Sequence, residues 1–218
     1  IRITFSYKIM MLNKKEDLHI HCNYNDHSSK DLTIPNIINK SESLSLERIA
    51  ITEHVRKNSE WTKKYIDELD YYIPRTKIKV LKGFEAKILV DGEIDCPEEF
   101  LSNEYFIIAS FHTKYNKEKW YEGLVKAIKN PNVDVIGHLA PEIDFKLNDS
   151  EIRNIAELLY ANGKKIEINS KYIRPPKEFL KIFKEYGVEF HLGSDAHTIN
   201  DIGNFNRIKD LIILIEEK

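Results

Sequence analysis

From Asp17 onward, short apolar runs alternate with amphipathic stretches of helical length, and few folds accept such a chain. The runs at 17–21, 48–52, 77–85, 105–110, 133–137, 165–169 and 189–193 are rich in Ile, Val and Phe, which predicts strands of a buried sheet. Between them, 34–43, 60–73, 117–129, 150–162, 177–186 and 201–217 read as helices. Asp149 and Ser150 offer N-cap chemistry, Gly163 and Gly187 stand where helices end, and Pro175 and Pro176 suit the start of a helix. Seven strands in βα alternation predict an α/β fold with a parallel sheet, and closure into a barrel is the expected form. One segment breaks the rhythm: Asp91-Gly92 within 88–95 predicts a tight hairpin.

A length of 218 residues suits one fairly large domain. The expected unit is 12–218, with 1–11 an N-terminal extension whose status is open because Met10 and Met11 also suit a start. A net charge of −2 shows none of the basic surplus that a general nucleic-acid or membrane binder carries. Two cysteines, Cys22 and Cys96, are too few for a disulfide framework, so a reducing, cytoplasmic setting is expected. No apolar run reaches the length of a membrane span, and the interrupted 1–12 stretch is a poor signal peptide.

The histidines carry the chemistry. In Asp17-Leu18-His19-Ile20-His21, alternate side chains share a face, so Asp17, His19 and His21 point together. Two imidazoles so placed form half of a metal site, although an HxH pair alone also fits a core or surface coincidence. The remaining histidines extend the pattern. His27 follows the first run; His54, His112, His138 and His197 end or follow four others; only His191 sits within a strand, where a core role suffices. Glu85 and Asp195 occupy equivalent positions. In a parallel barrel the C-terminal strand ends converge on one mouth. Seven histidines and two acids there exceed the four or so ligands of one tetrahedral zinc, which implies two or three metals. Nitrogen and oxygen donors without thiolate suit Zn, Mn or Fe.

Asp17–His21, Ile51-Thr52-Glu53-His54, Gly83-Phe84-Glu85-Ala86, Ala109-Ser110-Phe111-His112, Gly137-His138-Leu139-Ala140 and Gly193-Ser194-Asp195-Ala196-His197 resemble the ordered motifs of the polymerase-and-histidinol-phosphatase (PHP) superfamily. The resemblance runs from Asp17 to about Phe205. It implies a distorted (β/α)7 barrel with a trinuclear metal centre at the C-terminal mouth of the strands. His19, His21, Glu85 and Asp195 would hold one metal; Glu85 would bridge to a second, held also by His112 and His138; His27, His54 and His197 would hold the third. The first loop departs from the family's usual Ser-Asp-Gly, reading Asn25-Asp26-His27-Ser28. Polymerase-type members use an acid at Asp26 and phosphatase-type members a histidine at His27, which is the ligand expected here. Arg174, in the 167–174 stretch, resembles the phosphate-contacting arginine of the phosphatase branch, and Arg56 is a second candidate for substrate; both also read as solvated loop arginines. Asp17 and Asn169 face the same mouth and could orient ligands.

The activity this implies is metal-dependent hydrolysis of a small phosphorylated substrate, a phosphomonoester with histidinol phosphate as the leading named member. Metals would lower the pKa of a water to about 7 and neutralise charge on the reacting phosphoryl group, with catalytic weight on Arg174, Glu85 and Asp195. A PHP-type nuclease or phosphodiesterase would share the metals but would need a basic groove that the balanced charge does not advertise. An amidohydrolase would also begin with HxH but would add a bridging lysine, and a non-catalytic module would have lost ligands.

Overall fold

The structure is a computed structural model that describes residues 11–217, so the extension expected at 1–11 falls, apart from Met11, outside them. Seven strands form one parallel sheet in sequential order: β1 Glu16–Ile20, β2 Arg48–Val55, β3 Lys79–Lys87, β4 Phe106–Ser110, β5 Val135–Ile136, β6 Lys165–Asn169 and β7 Phe190–Gly193. Helices α1 Ile34–Ser43, α2 Thr62–Tyr72, α3 Lys117–Lys129, α4 Asp149–Ala161, α5 Lys177–Glu185 and α6 Lys209–Glu216 fill the connections. The sheet curls until β7 reaches β1. There Asp195 N–H donates to His19 O at 2.8 Å and His21 N–H donates to Ala196 O at 3.1 Å, so the barrel is nearly closed.

The period-2 alternation of each strand divides its side chains between two environments. Ile49, Ile51, Phe84, Ala86, Ile107, Ala109, Ile136 and Ile166 point outward and join Leu69, Trp120, Leu124, Ile155 and Phe183 from the helices in the main core. Ile168 and Leu192 do the same in a smaller cluster with Leu180, Leu211 and Ile215. The opposite faces carry the polar residues, which leaves them lining the barrel. Space there is tight. A Cβ on Gly193 would lie 2.0 Å from Glu167 Oε1, and one on Gly137 would lie 2.3 Å from Ser110 Oγ.

Two details differ from the sequence reading. The start of α4 is capped by Asn148 rather than by Asp149 or Ser150. Asn148 accepts from Glu151 N–H while the Glu151 side chain reaches back to the Asn148 N–H, a reciprocal box that removes two unpaired donors. The last helix begins at Lys209, after a 3₁₀ turn at Asn206–Ile208, instead of at 201. Gly203 has φ +66°, outside the helical region, and its N–H is taken by Asp17 Oδ2 at 2.8 Å. Asp201 is spent locally, accepting from Thr198 N–H at 2.9 Å and from Thr198 Oγ1 at 2.8 Å. The hairpin forms as expected: Ile88 and Ile94 pair antiparallel, and Gly92 sits at φ +82°.

Candidate metal centre

At the C-terminal mouth, the inward alternation of several strands brings a layer of imidazoles around one buried carboxylate, Glu85 of β3. Its Oε1 lies 2.9 Å from His138 Nε2 and 3.1 Å from His112 Nε2. Its Oε2 lies 2.8 Å from His54 Nδ1 and 3.6 Å from both His19 Nε2 and His21 Nε2. Asp195 closes the far side, with Oδ1 at 3.1 Å from His21 Nε2 and 3.3 Å from His197 Nδ1. Among the described residues three donor groups have their atoms within 4.8 Å of one another: His19, His21 and Glu85; His54, Glu85 and His112; and His21, His54 and His197.

A ring of carboxylates below and beside this layer faces the imidazoles. His19 Nδ1 lies 2.6 Å from Glu167 Oε1, and His21 Nδ1 lies 3.5 Å from Glu53 Oε1. With Nδ1–H directed at Glu167, the His19 ring turns its Nε2 into the site; the His21 Nδ1 faces the Glu53 carboxylate without a hydrogen bond. The two Nε2 atoms face each other at 3.1 Å, an arrangement that needs a proton or a cation between them. Glu85 Oε2 is buried and accepts no hydrogen bond despite the nearby His54 nitrogen. Imidazole nitrogens and carboxylate oxygens converging this closely suit divalent cations, and the donor chemistry fits them.

Electrostatics describe the same balance. Burial pushes the Glu85 carboxyl up, but the His112 and His19 charges and the bonds from His112 and His138 outweigh it and hold the group well below the usual range. Asp195 is also well below, burial being overcome by the His19 charge and by bonds from His197 and His21. Burial lowers His19, yet Glu167, Glu85 and Asp195 together keep it well above its ordinary value. His21, likewise depressed by burial, is carried to about 9 by Asp195 and Glu53. His54 goes the other way, to about 4, because burial prevails over the Glu85 attraction. Protons on the imidazoles thus neutralise the carboxylates, and a metal would take their place.

Backbone geometry supports the placement. His138 and Asp195 sit at positive φ, 26° and 54°, conformations that cost roughly 1–3 kcal/mol each and persist where surroundings impose them. His138 is pinned by its N–H donating to Glu167 Oε2 at 2.7 Å. Asp195 is steadied by Asn169 Nδ2, which donates to its Oδ2 at 3.2 Å. Asp17, raised to about 6 by burial, accepts from Ser194 N–H at 2.9 Å as well as from Gly203, and ties β1 to the loop after β7.

The site opens into a cavity of about 470 Å³ lined by His27, His54, Arg56, Glu85, His112, His138, Asp195 and His197. His27 lies on its rim, exposed, with its ring 5.8 Å from that of His54; it belongs to none of the three compact donor groups, where His21 joins His54 and His197 instead. Arg56 is exposed and lies 3.6 Å from Asp95. Arg174 lines an adjoining cavity of about 440 Å³, which shares His112, His138 and Tyr172 with the first. Lys171, which the sequence reading passed over, enters the first cavity with Nζ 3.0 Å from His197 Nδ1 and 3.5 Å from Asp195 Oδ1. Its signal was its place two residues past the end of β6, in the turn where the chain folds back to pair Asn169 with Arg174. Glu53 and Glu167, the partners of the two leading histidines, stood inside the 51–54 and 167–174 stretches without a role assigned to them.

Comparison with known proteins agrees with this architecture. A family described as the PHP domain matches residues 17–171. A protein of Acetivibrio thermocellus named a probable phosphatase is 29% identical over 215 residues, spanning 90% of this chain and 85% of its own. One of the same description from Caldicellulosiruptor saccharolyticus is 30% identical over 214 residues, with coverage of 90% and 85%. Among solved structures, a Listeria monocytogenes protein provisionally named a histidinol phosphatase aligns with a TM-score of 0.63 at 18% identity, covering 87% of this chain and 97% of that one; the likeness is one of fold.

Proposed function

The chain belongs to the PHP domain family, and from that premise we propose that it is a metal-dependent phosphatase acting on a small phosphomonoester. The observation that carries this reading is the convergence of His19, His21, His54, His112 and His138 on the two oxygens of buried Glu85. The names of the relatives support it.

In this reading two to three divalent metals, Zn, Mn or Fe, would be held by His19, His21, Glu85 and Asp195, by Glu85, His112 and His138, and by His54 and His197 with His27 from the rim. Bound there, such cations supply Lewis acidity towards phosphoryl oxygens and lower the pKa of water. The chain's own residues do the rest. Glu167 fixes the tautomer of His19, Glu53 faces the His21 ring as a charge partner, and Asn169 steadies Asp195. Lys171 adds a positive charge on the β6 side of the cavity. Arg174, which lines the adjoining cavity with His138, would grip the free phosphate oxygens through its forked donors. Hydrolysis forms a bond from water oxygen to phosphorus and breaks the ester P–O bond, and the alcohol leaves with a proton. A monoester offers three free oxygens to these groups, a diester only two.

The resemblance of 167–174 to the histidinol-phosphatase branch places histidinol phosphate among the substrates to assay. The first test is simpler: metal-loaded protein with p-nitrophenyl phosphate and with its bis-ester. Turnover of the monoester, abolished by chelation, is expected. Preferred turnover of the bis-ester or of single-stranded nucleic acid would move the chain to the diesterase reading.

A further inference from the structure

The inward alternation continues one step beyond the metal layer. On β3 it runs Gly83, Glu85, then Lys87; past the ends of β2 and β6, two residues after His54 and Asn169, the loops place Arg56 and Lys171 at the corresponding positions. All three terminal positions are cations, and all three line the same cavity as His54, Glu85 and His197. They do not sit together. Because strand order follows sequence order, Arg56 and Lys87 share the β2–β3 rim while Lys171 stands across the mouth, beside β7.

Their partners differ as well. Lys171 lies against Asp195 and His197, next to where phosphate would meet the metals. Lys87 has no hydrogen-bond or ion-pair partner for its ammonium among the described residues. Arg56 leans on Asp95 through Nη1 at 3.6 Å, which leaves the rest of its fork open to the cavity. The carboxylates lining this cavity, Glu85 and Asp195, lie beneath the histidines and are already engaged by them. In the adjoining cavity, Glu142 stands with Lys114 and Arg174. A cationic leaving group, such as an amino alcohol, therefore meets like charge on the β2–β3 rim.

We infer that the substrate carries a second anionic group, a carboxylate or a second phosphate, on its leaving group, and that Lys87 with Arg56 forms the subsite that binds it. This rests on the phosphomonoesterase reading above and narrows it to one class of ester. An unpaired ammonium and a half-free guanidinium on the wall of a cavity satisfy an anion directly, with charge-assisted bonds.

The test uses matched aryl esters that differ in one para substituent: phenyl phosphate, para-carboxyphenyl phosphate, para-phenylene bisphosphate and para-(aminomethyl)phenyl phosphate. With the metal-loaded full chain, kcat/KM for the carboxyl or the bisphosphate compound should exceed that for phenyl phosphate by about 10-fold or more, with the aminomethyl compound lowest. The better of the two anions identifies which kind is read. Lys87→Gln should lose most of that preference, and Lys87→Arg should keep part of it. Calorimetric binding of benzylphosphonate and para-carboxybenzylphosphonate should show the same ranking without turnover. Equal rates on the charged and uncharged esters, or preference for the aminomethyl ester, would overturn the inference while leaving the phosphatase reading intact. A preference that survives Lys87→Gln and Arg56→Gln would remove these residues from it. Failure to hydrolyse any monoester would bring down both.

Discussion

Glu167→Gln is the substitution that most directly tests how the barrel prepares its histidines. It keeps the shape of the side chain and removes one acceptor. In the native chain Glu167 Oε1 receives the proton of His19 Nδ1 at 2.6 Å, and Oε2 receives the His138 N–H at 2.7 Å. A glutamine cannot do both. If its oxygen stays on His19, its NH2 faces the His138 N–H, and a buried donor is left unpaired at a cost of about 1–3 kcal/mol. If the amide flips, His19 must accept at Nδ1, and its proton moves to Nε2, the atom that faces His21 and Glu85. Rotation is no escape, because Gly193 and Gly137 pack against the carboxylate and leave it no free volume. Metal affinity should then fall by roughly 10–100-fold, the usual effect of losing a residue that orients a ligand. The metal-free protein should also melt lower by about 2–12 °C, from 1–3 kcal/mol at 2–4 °C per kcal/mol for a domain of this size. Calorimetric titration with Mn²⁺ or Zn²⁺ and thermal melts of the chelated protein measure the two effects separately. Unchanged affinity and unchanged melting in Glu167→Gln would refute the tautomer argument.

Chelation should abolish activity, and elemental analysis of reconstituted protein should find two to three metals per chain; fewer than one, with no gain on reconstitution, would sink the metal reading. Because His21 is raised to about 9, it holds a proton near neutral pH that a metal must displace, so titrations in buffers of different ionisation enthalpy should report net proton release. The same shift sets a stability trend for the metal-free protein. A histidine raised from about 6.5 to about 9 contributes fully below the lower value and loses its contribution as pH rises through the upper, so the chelated protein should melt lower at alkaline pH than near neutrality. His27→Ala should weaken metal binding and activity more than Asp26→Ala; the reverse order in paired titrations would assign the first loop to Asp26. Arg174→Ala should cost about 1.5–3 kcal/mol in kcat/KM on monoesters and less on diesters, with Arg174→Lys recovering part; equal losses on both ester classes would remove it as the phosphate grip.

Much of this fold was readable because one signal was repeated. A strand buried outside by helices and lined inside by ligands must place apolar residues at one parity and functional ones at the other. Ile49 and Ile51 against Thr52 and His54 show this, as do Phe84 and Ala86 against Glu85. What escaped the reading depends on tertiary partners instead. Nothing local distinguishes Asn148 from Asp149 as a cap until Glu151 folds back on it. The 201–208 turn looks helical in composition, but Gly203 is held at positive φ with its N–H on Asp17, a residue 186 positions earlier.

His138 shows where parity and chemistry part. Val135 and Gly137 share the inward face, so strict alternation would turn His138 outward. The inward slot at Gly137 has no room for a side chain, since a Cβ there would lie 2.3 Å from Ser110 Oγ and 2.6 Å from Ile108 Cγ2. The chain resolves this by ending β5 after two residues and rotating His138 to φ +26°, where Glu167 secures its N–H and its Nε2 reaches Glu85. One carboxylate therefore holds both ends of the ligand layer, the His19 ring through one oxygen and the His138 backbone through the other. That coupling explains why a strained histidine and two glycines belong to the same site, and why disturbing Glu167 should be felt at both histidines at once.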